Sequence, residues 1–339
     1  MTFMMPVMML IMNCLSVGIV WVGAHRIDSG VMQVGSMTAF ITYAMQIVMS
    51  FLMLTMLSIM LPRAIVAADR IDEVINTKSS ITDAESPKSI SNPKGLLVFD
   101  HVNFKYPGAN ENALEDINFV AEPGKTTAII GSTGCGKSTL VNLIPRLYDA
   151  SKGEIKIDGI SVKEYPVRHL RDAISVVLQK NTLFSGSLID NLRWGDENAT
   201  LDEIKEACSI ACVDEFIDRL PGGLDAEMGQ EGVNVSGGQK QRICIARAIL
   251  KKPKVLILDD STSAVDTATE GKIRNALAKK LPDMTKIIIA QRISSVCHAD
   301  QIIIMDGGRV DAIGTHESLL RTNKIYQEIY ESQKEGVDL

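Results

Sequence analysis

Gly131-Ser132-Thr133-Gly134-Cys135-Gly136-Lys137-Ser138-Thr139 is the stretch on which the reading of this chain turns. It follows the short β-rich run Thr126–Ile130 and precedes the apolar periodicity of Leu140, Leu143 and Ile144. The predicted order is therefore strand, glycine loop, helix, with the GxxxxGK(S/T) spacing of a phosphate-binding loop. Glycines let consecutive backbone N–H groups converge on phosphate oxygens, and a helix N-terminus adds its partial positive charge. Lys137 is placed to reach β- and γ-phosphates, and the Ser138 hydroxyl to ligate Mg²⁺.

Such a loop needs an acidic partner at the end of a buried strand. Val255–Leu258 is continuously apolar, as a parallel strand covered on both faces should be, and it runs into Asp259-Asp260. Asp259 is the expected Mg²⁺ holder at the carboxyl edge of the sheet, and Asp260 stands where a water-activating carboxylate belongs.

Working outward, the composition divides the chain. The first 76 of 339 residues carry only seven charged side chains, Arg26, Asp28, Arg63, Asp69, Arg70, Asp72 and Glu73, and 13 of the 16 methionines lie before residue 61. The remainder is mixed, charged and glycine-punctuated. A net charge of −6 argues against a nucleic-acid partner, because phosphate backbones demand a basic surface. The six cysteines, Cys14, Cys135, Cys208, Cys212, Cys244 and Cys297, show no disulfide spacing. Cys208 and Cys212 read as packed thiols rather than a metal pair, since no His or second CxxC accompanies them at zinc spacing.

Residues 2–24 are uncharged, and about 23 helical residues cover roughly 35 Å, more than the ~30 Å hydrocarbon core of a bilayer. The run lacks the Lys or Arg n-region of a signal peptide and is longer than its apolar core, so a span is expected. Residues 31–62 form a second uncharged run, within which 37–61 read as the second span and 63–76 as its helical continuation. Arg63, Arg70 and Lys78 follow that run, so positive-inside counting puts residue 63 onward in the cytoplasm, with residues 25–36 outside. Residues 77–95, rich in Ser, Lys and Pro, read as a flexible linker.

One further stretch, Asn234-Val235-Ser236-Gly237-Gly238-Gln239-Lys240-Gln241-Arg242, resembles the signature motif of ABC ATPases. With the phosphate loop and Asp259 it identifies the chain as resembling that superfamily from about Leu97 to Gln333, with the motifs in family order. The resemblance implies ATP and Mg²⁺ as ligands. Tyr106 then matches the aromatic that stacks on adenine, Gln179 the glutamine that touches Mg²⁺ and senses the membrane domain, and Ser263-Ala264-Val265-Asp266 the loop that crosses between two nucleotide domains. Leu183-Phe184-Ser185-Gly186 linked to Asn191-Leu192, with two helices ahead, is similar to multidrug- and lipid-exporter members. The implied fold is a membrane α-helical segment of two spans (residues 1–76), a linker (77–95), an α/β P-loop ABC ATPase domain with antiparallel β and α-helical subdomains (96–333), and a tail (334–339). The antiparallel part is expected over residues 97–120, the helical subdomain over 188–250, and tail helices over 317–321 and 324–332. His298 and His316 read as surface or packing residues.

The family mechanism implied is head-to-tail pairing of two nucleotide domains, each ATP held between one P-loop and the other domain's Ser236, Gly237, Gly238 and Gln239 equivalents. A second half-transporter subunit, membrane lipid and a transported amphipathic or lipid-like small molecule are the implied partners, in a multi-pass protein of the plasma membrane with the nucleotide domain cytoplasmic. Two departures bear on this. Members that hydrolyse ATP carry Glu where this chain has Asp260, and a switch His where it has Gln291. Asp retracts the carboxylate by about 1.5 Å, and misplacement of about 1 Å can cost on the order of 10²-fold. Gln230 and Glu231 also stand where exporters usually show Glu-Arg. The pattern resembles the degenerate subunit of bacterial heterodimeric exporters, whose signature serves the partner's site; a symmetric homodimer with Asp260 as working base, and a gating module with little turnover, are the alternatives. A soluble ABC ATPase is excluded by the two spans. Exporter subunits of this type need six spans, so the expectation is a fragment of such a subunit or an incomplete gene model.

Overall fold

The computed structural model describes residues 3–88, 90, 93–261 and 264–335. Two compact units divide between Ser79 and Ser80.

The first unit is a pair of helices, α1 (Met4–Asp28) and α2 (Val34–Asn76). Both are long and apolar enough to cross a membrane, with mean hydropathy of 2.1 and 2.0. Their apolar residues face outward all round: Trp21, Phe40, Phe51 and Met53 are all well exposed. A helix with no polar face needs a solvent other than water. The hydroxyls on α2 are satisfied locally, as Thr42 donates to Thr38 O, Ser50 to Gln46 O and Ser58 to Leu54 O. Helix α1 ends at Gly30, whose φ of 73° lets its own N–H and that of Val31 turn back onto Ile27 O and Arg26 O. Helix α2 runs unbroken through Pro62 to Asn76, three residues earlier at its start than the sequence predicts. Thr2, the expected start of the first span, lies outside the described residues.

Among its described residues the second unit holds twelve strands. They are β1 (Leu97–Phe104), β2 (Leu114–Ala121), β3 (Thr126–Gly131), β4 (Lys152–Ile157), β5 (Ile160–Ser161) and β6 (Ile174–Val177). After these come β7 (Gly186–Ser187), β8 (Glu227–Met228), β9 (Val255–Asp259), β10 (Thr285–Ile289), β11 (Gln301–Asp306) and β12 (Arg309–Gly314). One sheet has the order β2-β1-β4-β5 and is antiparallel, a second has the order β12-β11-β3-β10-β9-β6 and is parallel except at the β12 edge, and β7 and β8 form an antiparallel pair. The antiparallel region thus extends beyond residues 97–120 to recruit β4 and β5. Half-polar strands such as KGEIKI carry a weak apolar signal because only alternate residues reach the core.

The parallel strands are the buried ones: every residue of β9 is buried, and Thr127–Ile130 of β3 likewise. Between the two sheets, Phe99 and Phe119 stack as a cross-strand pair with ring centroids 4.6 Å apart. Short helices at Leu188–Arg193, Leu201–Ile210 and Asp214–Ile217, with the longer Gly237–Leu250, form a separate apolar cluster around Leu188, Ile204, Phe216 and Ile243. Capping boxes at Ser187–Asp190 and Thr200–Glu203 start two of them. The tail helices run His316–Thr322 and Lys324–Glu335, longer than predicted. Tyr326 of the last one is fully buried and its hydroxyl meets His316 Nδ1 at 2.8 Å. Of the expected tail, residues 336–339 lie outside the described residues.

Within residues 77–95, expected to be a flexible linker, Asp83, Lys88, Lys94 and Gly95 are held by the domain that follows, as is the neighbouring Leu96. The Asp158 carboxylate accepts from the N–H groups of Lys94, Gly95 and Leu96 at 2.8, 3.0 and 2.9 Å, Asp83 accepts from Val167 N–H at 2.7 Å, and Lys88 pairs with Glu164 at 2.7 Å. Charge-assisted bonds to backbone donors are strong enough to order a coil that composition alone marks as loose.

Because Phe99 is completely buried in the stack with Phe119, Phe99→Ala should cost about 3–5 kcal/mol through lost contacts and the cavity left behind. A denaturant titration that reports on the nucleotide-binding unit gives the measurement; a loss below about 1 kcal/mol would mean that the inter-sheet core does not rest on this pair.

Candidate nucleotide site

The site lies at the carboxyl ends of four neighbouring parallel strands, β3, β10, β9 and β6. The phosphate loop leaves β3 at Gly131, where an added Cβ would lie 2.1 Å from Met305 O of β11 and 2.8 Å from Cys135 Sγ. Only glycine lets the chain turn so close to its neighbour. Gly136, with φ of 98°, fills the same need at the other end of the loop, its Cβ position lying 2.8 Å from Leu114 Cδ2. Helix α3 (Lys137–Leu143) starts there, and its first internal bond is Leu140 N–H to Gly136 O. The amides of Lys137, Ser138 and Thr139 therefore have no acceptor inside the helix. Lys137 Nζ folds back to donate to Gly131 O at 2.8 Å and Ser132 O at 2.7 Å, with Cys135 Sγ at 3.6 Å.

Asp259 ends β9 in a buried position, and Asp260 follows with its N–H on Ile289 O at 2.9 Å and a φ of 46°. Oδ2 of Asp260 accepts two amide donors, Gln179 Nε2 and Gln291 Nε2, each at 3.0 Å. Burial pushes the Asp259 carboxyl above its ordinary range, opposed by a hydrogen bond with Ser138 and by the charge of Lys137. Burial and then the charge of Asp259 push Asp260 up, opposed by Gln179 and, more weakly, by Arg292 and Lys137.

A raised carboxyl pKa means that the folded chain holds the proton more tightly than the unfolded chain. The ionised pair therefore costs the fold stability as pH rises through that value. The neighbourhood is short of positive charge, which suits a hard divalent cation ligated by oxygen. Ser138, Gln179 and Asp259 are the donors within reach. The cleft bounded by Thr133, Gly134, Gly136–Thr139, Gln179, Asp259, Asp260, Ile289 and Gln291 has a volume of about 210 Å³. That is below the usual 300–1,000 Å³ of a whole-ligand pocket and matches the phosphate end of a nucleotide.

Tyr106 is half-buried just outside the cleft. Its ring meets Phe104 and Tyr148 edge-on at 4.8 and 5.4 Å, and its hydroxyl lies 3.0 Å from Thr139 Oγ1. The aromatic surface is thus held to the end of the loop by one hydrogen bond. Sequence reading missed Tyr148, which sits on no motif.

The signature residues are elsewhere. Ser236 caps the helix Gly237–Leu250, accepting from Gln239 N–H at 3.2 Å while Gln239 Oε1 accepts from Ser236 N–H at 2.9 Å. None of Ser236, Gly237, Gly238 or Gln239 lines the P-loop cleft. Gly238 lets the helix pack on the following loop, since an added Cβ would lie 2.7 Å from Ala264 O, and Gln241 Oε1 accepts from Ala264 N–H at 3.1 Å. Asp266 caps the helix Thr267–Lys280 through Thr269 N–H at 2.9 Å, and this bond to the backbone holds its carboxyl below the usual range. Ser263 of the same loop lies outside the described residues. Cys208 and Cys212 are buried, and desolvation pushes the Cys208 thiol up to about 12.

The family model for ABC transporters matches residues 114–263. An uncharacterized ABC transporter ATP-binding protein of Mycobacterium tuberculosis is 45% identical over 334 residues, which is 97% of this chain and 57% of that one. An ATP-dependent lipid A-core flippase of Xanthomonas euvesicatoria is 38% identical over 316 residues, covering 93% of this chain and 53% of the relative. Among solved structures, a bacterial Atm1-family ABC exporter with ATP bound superposes with a TM-score of 0.83 at 32% identity, covering 97% of this chain and 58% of the other. The chain spans little more than half the length of the curated relatives it matches.

Two substitutions should separate the parts of this site. Lys137→Ala should weaken triphosphate binding through lost charge. Tyr106→Ala should weaken adenine nucleotides by about 1–3 kcal/mol without preferring triphosphate over diphosphate, by analogy with base–aromatic stacking. Equilibrium binding of ATP and ADP to the full chain checks both, and unchanged ATP affinity in the two variants would remove the nucleotide from this cleft.

Proposed function

The chain carries an ABC transporter ATP-binding domain homologous to exporter half-transporters, and on that premise we propose that it is the ATP-binding subunit of an exporter for amphipathic or lipid-like molecules. The substrate class follows relatives named as a lipid A-core flippase and a multidrug export ATP-binding/permease protein. The subunit sits in the plasma membrane with its nucleotide domain in the cytoplasm on this reading, which the two apolar helices and the Arg63, Arg70 and Lys78 that follow the second one support.

Adenine stacks on Tyr106, and the phosphates enter the glycine loop. Lys137 exchanges its contacts with Gly131 O and Ser132 O for β- and γ-oxygens. Ser138, Asp259 and Gln179 would hold Mg²⁺, which would supply neutralisation of the phosphate charge. The exposed N-terminus of the signature helix, with the Ser236 hydroxyl and the Gly237 and Gly238 amides, addresses a nucleotide on a second subunit. Its absence from the chain's own cleft supports that division: each complete site needs two subunits. Binding closes the pair, hydrolysis reopens it, and the attached helices alternate their access.

The second subunit is a different one, and this chain's own site turns over weakly. One observation carries that reading. The Asp260 oxygen that would take a proton from the attacking water already accepts from two neutral amides, Gln179 and Gln291. Gln291 can hydrogen-bond phosphate but cannot become a cation. The raised pKa of Asp260 favours the second reading, a symmetric homodimer in which Asp260 is the working base.

Asp260→Glu combined with Gln291→His should raise the rate of this chain's own site by on the order of 10²-fold, because general-base positioning is typically worth 10²–10⁴-fold. Ser236→Ala should instead lower hydrolysis in the partner's site. Steady-state ATPase rates of the purified two-subunit complex, with substitutions in one subunit at a time, give the readout. If Asp260→Ala abolishes turnover as completely as loss of the partner's carboxylate, the symmetric reading is the correct one.

A further inference from the structure

The last helix, Lys324–Glu335, is fastened to the body of the domain by Tyr326 and, one turn on, Tyr330, both packed in the apolar cluster with Ile293, Val296 and Ile302. A further turn along the same face stands Gln333. Its side chain spans the segment that carries the switch position. Gln333 Oε1 accepts from Ile293 N–H at 2.8 Å, and Gln333 Nε2 donates to Gln291 O at 2.6 Å. Ile293 opens the short helix Ile293–Val296, whose N-cap Arg292 makes no side-chain capping bond, so Gln333 supplies an acceptor to the helix's first amide.

The side chain of Gln291, two bonds from the carbonyl that Gln333 holds, donates to Asp260 Oδ2 at 3.0 Å. A continuous path therefore runs from the C-terminal helix to the carboxylate beside the phosphate cleft: Gln333 side chain, Gln291 backbone, Gln291 side chain, Asp260. The two hydrogen bonds bracket residues 291–293 on either side of Arg292. Loss of both leaves the segment after β10 held by Ala290 N–H on Ile129 O before it and by apolar packing of Ile293 after it.

We propose that Gln333 is a positioning residue for the nucleotide site, fixing the backbone of Gln291 so that its amide side chain is presented toward the phosphate end of the cleft. The inference rests on the ATP-binding reading above and adds to it a contribution from the C-terminal helix, which lines no part of the cleft and reaches it only through the backbone of Gln291. Its consequence is selective. A loosened Gln291 weakens the grip on a terminal phosphate, while the glycine loop and Tyr106 keep theirs on the rest of the nucleotide.

The test is equilibrium binding of Mg-ADP and of the non-hydrolysable Mg-AMP-PNP to the full chain in detergent micelles, comparing Gln333→Leu, Gln333→Glu, Gln291→Ala and the double variant Gln333→Leu with Gln291→Ala. Leucine removes both hydrogen bonds; glutamate keeps the acceptor for Ile293 N–H but, when ionised, loses the donor to Gln291 O. Gln333→Leu is expected to weaken AMP-PNP binding three- to tenfold with ADP binding unchanged within twofold, Gln333→Glu to do so in the same sense, and neither to add to Gln291→Ala. Equal losses for ADP and AMP-PNP would make Gln333 merely structural and overturn the proposal. So would an undiminished effect in the Gln291→Ala background, or AMP-PNP affinity unchanged in Gln333→Leu. Failure of the unsubstituted chain to bind either nucleotide would instead overturn the ATP-binding reading itself.

Discussion

Everything at the nucleotide site depends on the register of the parallel ladder. Ile289 pairs with Asp259 on one side and with Ile129 on the other, and Val177 pairs with Leu258. With those pairs fixed, the residues one or two positions beyond β6, β9 and β10, namely Gln179, Asp260 and Gln291, emerge in a row beside Gly131 at the end of β3. A slip of one residue in any strand would send its side chains to the opposite face of the sheet. The register is held because these strands are buried on both faces, so every displacement would exchange packed apolar side chains for misfits. Catalytic geometry here is a by-product of backbone hydrogen bonding that no site residue makes alone.

Much of this could be read from residue order. A glycine loop between a β-rich run and an apolar helix, and two aspartates after a wholly apolar strand, announce themselves because both signals are local. The two long apolar helices were legible for the same reason: hydropathy adds up along consecutive residues. What escaped was non-local. β4 joins β1 across the whole phosphate loop, and its half-polar pattern gives no hint of the partner. Asp158 gathers three amides from more than sixty residues away and so orders a coil that composition marks as flexible. Gln333 looks like an ordinary polar residue on an amphipathic helix until the fold brings Gln291 and Ile293 against it.

The two parts of the proposed nucleotide chemistry are kept apart by packing. The cleft is built from strand ends, whereas the signature sits at the start of a helix whose Gly238 is pressed onto Ala264. That contact, with the bond from Ala264 N–H to Gln241 Oε1, ties the signature helix to the loop from Ala264 to Asp266 and leaves little room for one to slide past the other. Asp266 then starts the next helix as its cap. Whatever presses on the signature from outside is therefore felt at the loop that follows Asp260 in sequence, through contacts made before any nucleotide is considered.

The left-handed backbone of Asp260 has a consequence in evolutionary terms. At a φ of 46°, glycine, asparagine and aspartate are the residues that fit with least strain. A change to asparagine would keep that fit and remove the burial of a charge, so burial at this position weighs against the carboxylate. A site freed from the need to turn over nucleotide has a downhill route of a single substitution toward a more stable, chemically silent state. Aspartate is an intermediate on that slope: better suited to this backbone than glutamate, less reactive than glutamate in reach, and still acidic. Selection for activity and selection for stability pull this one position in opposite directions.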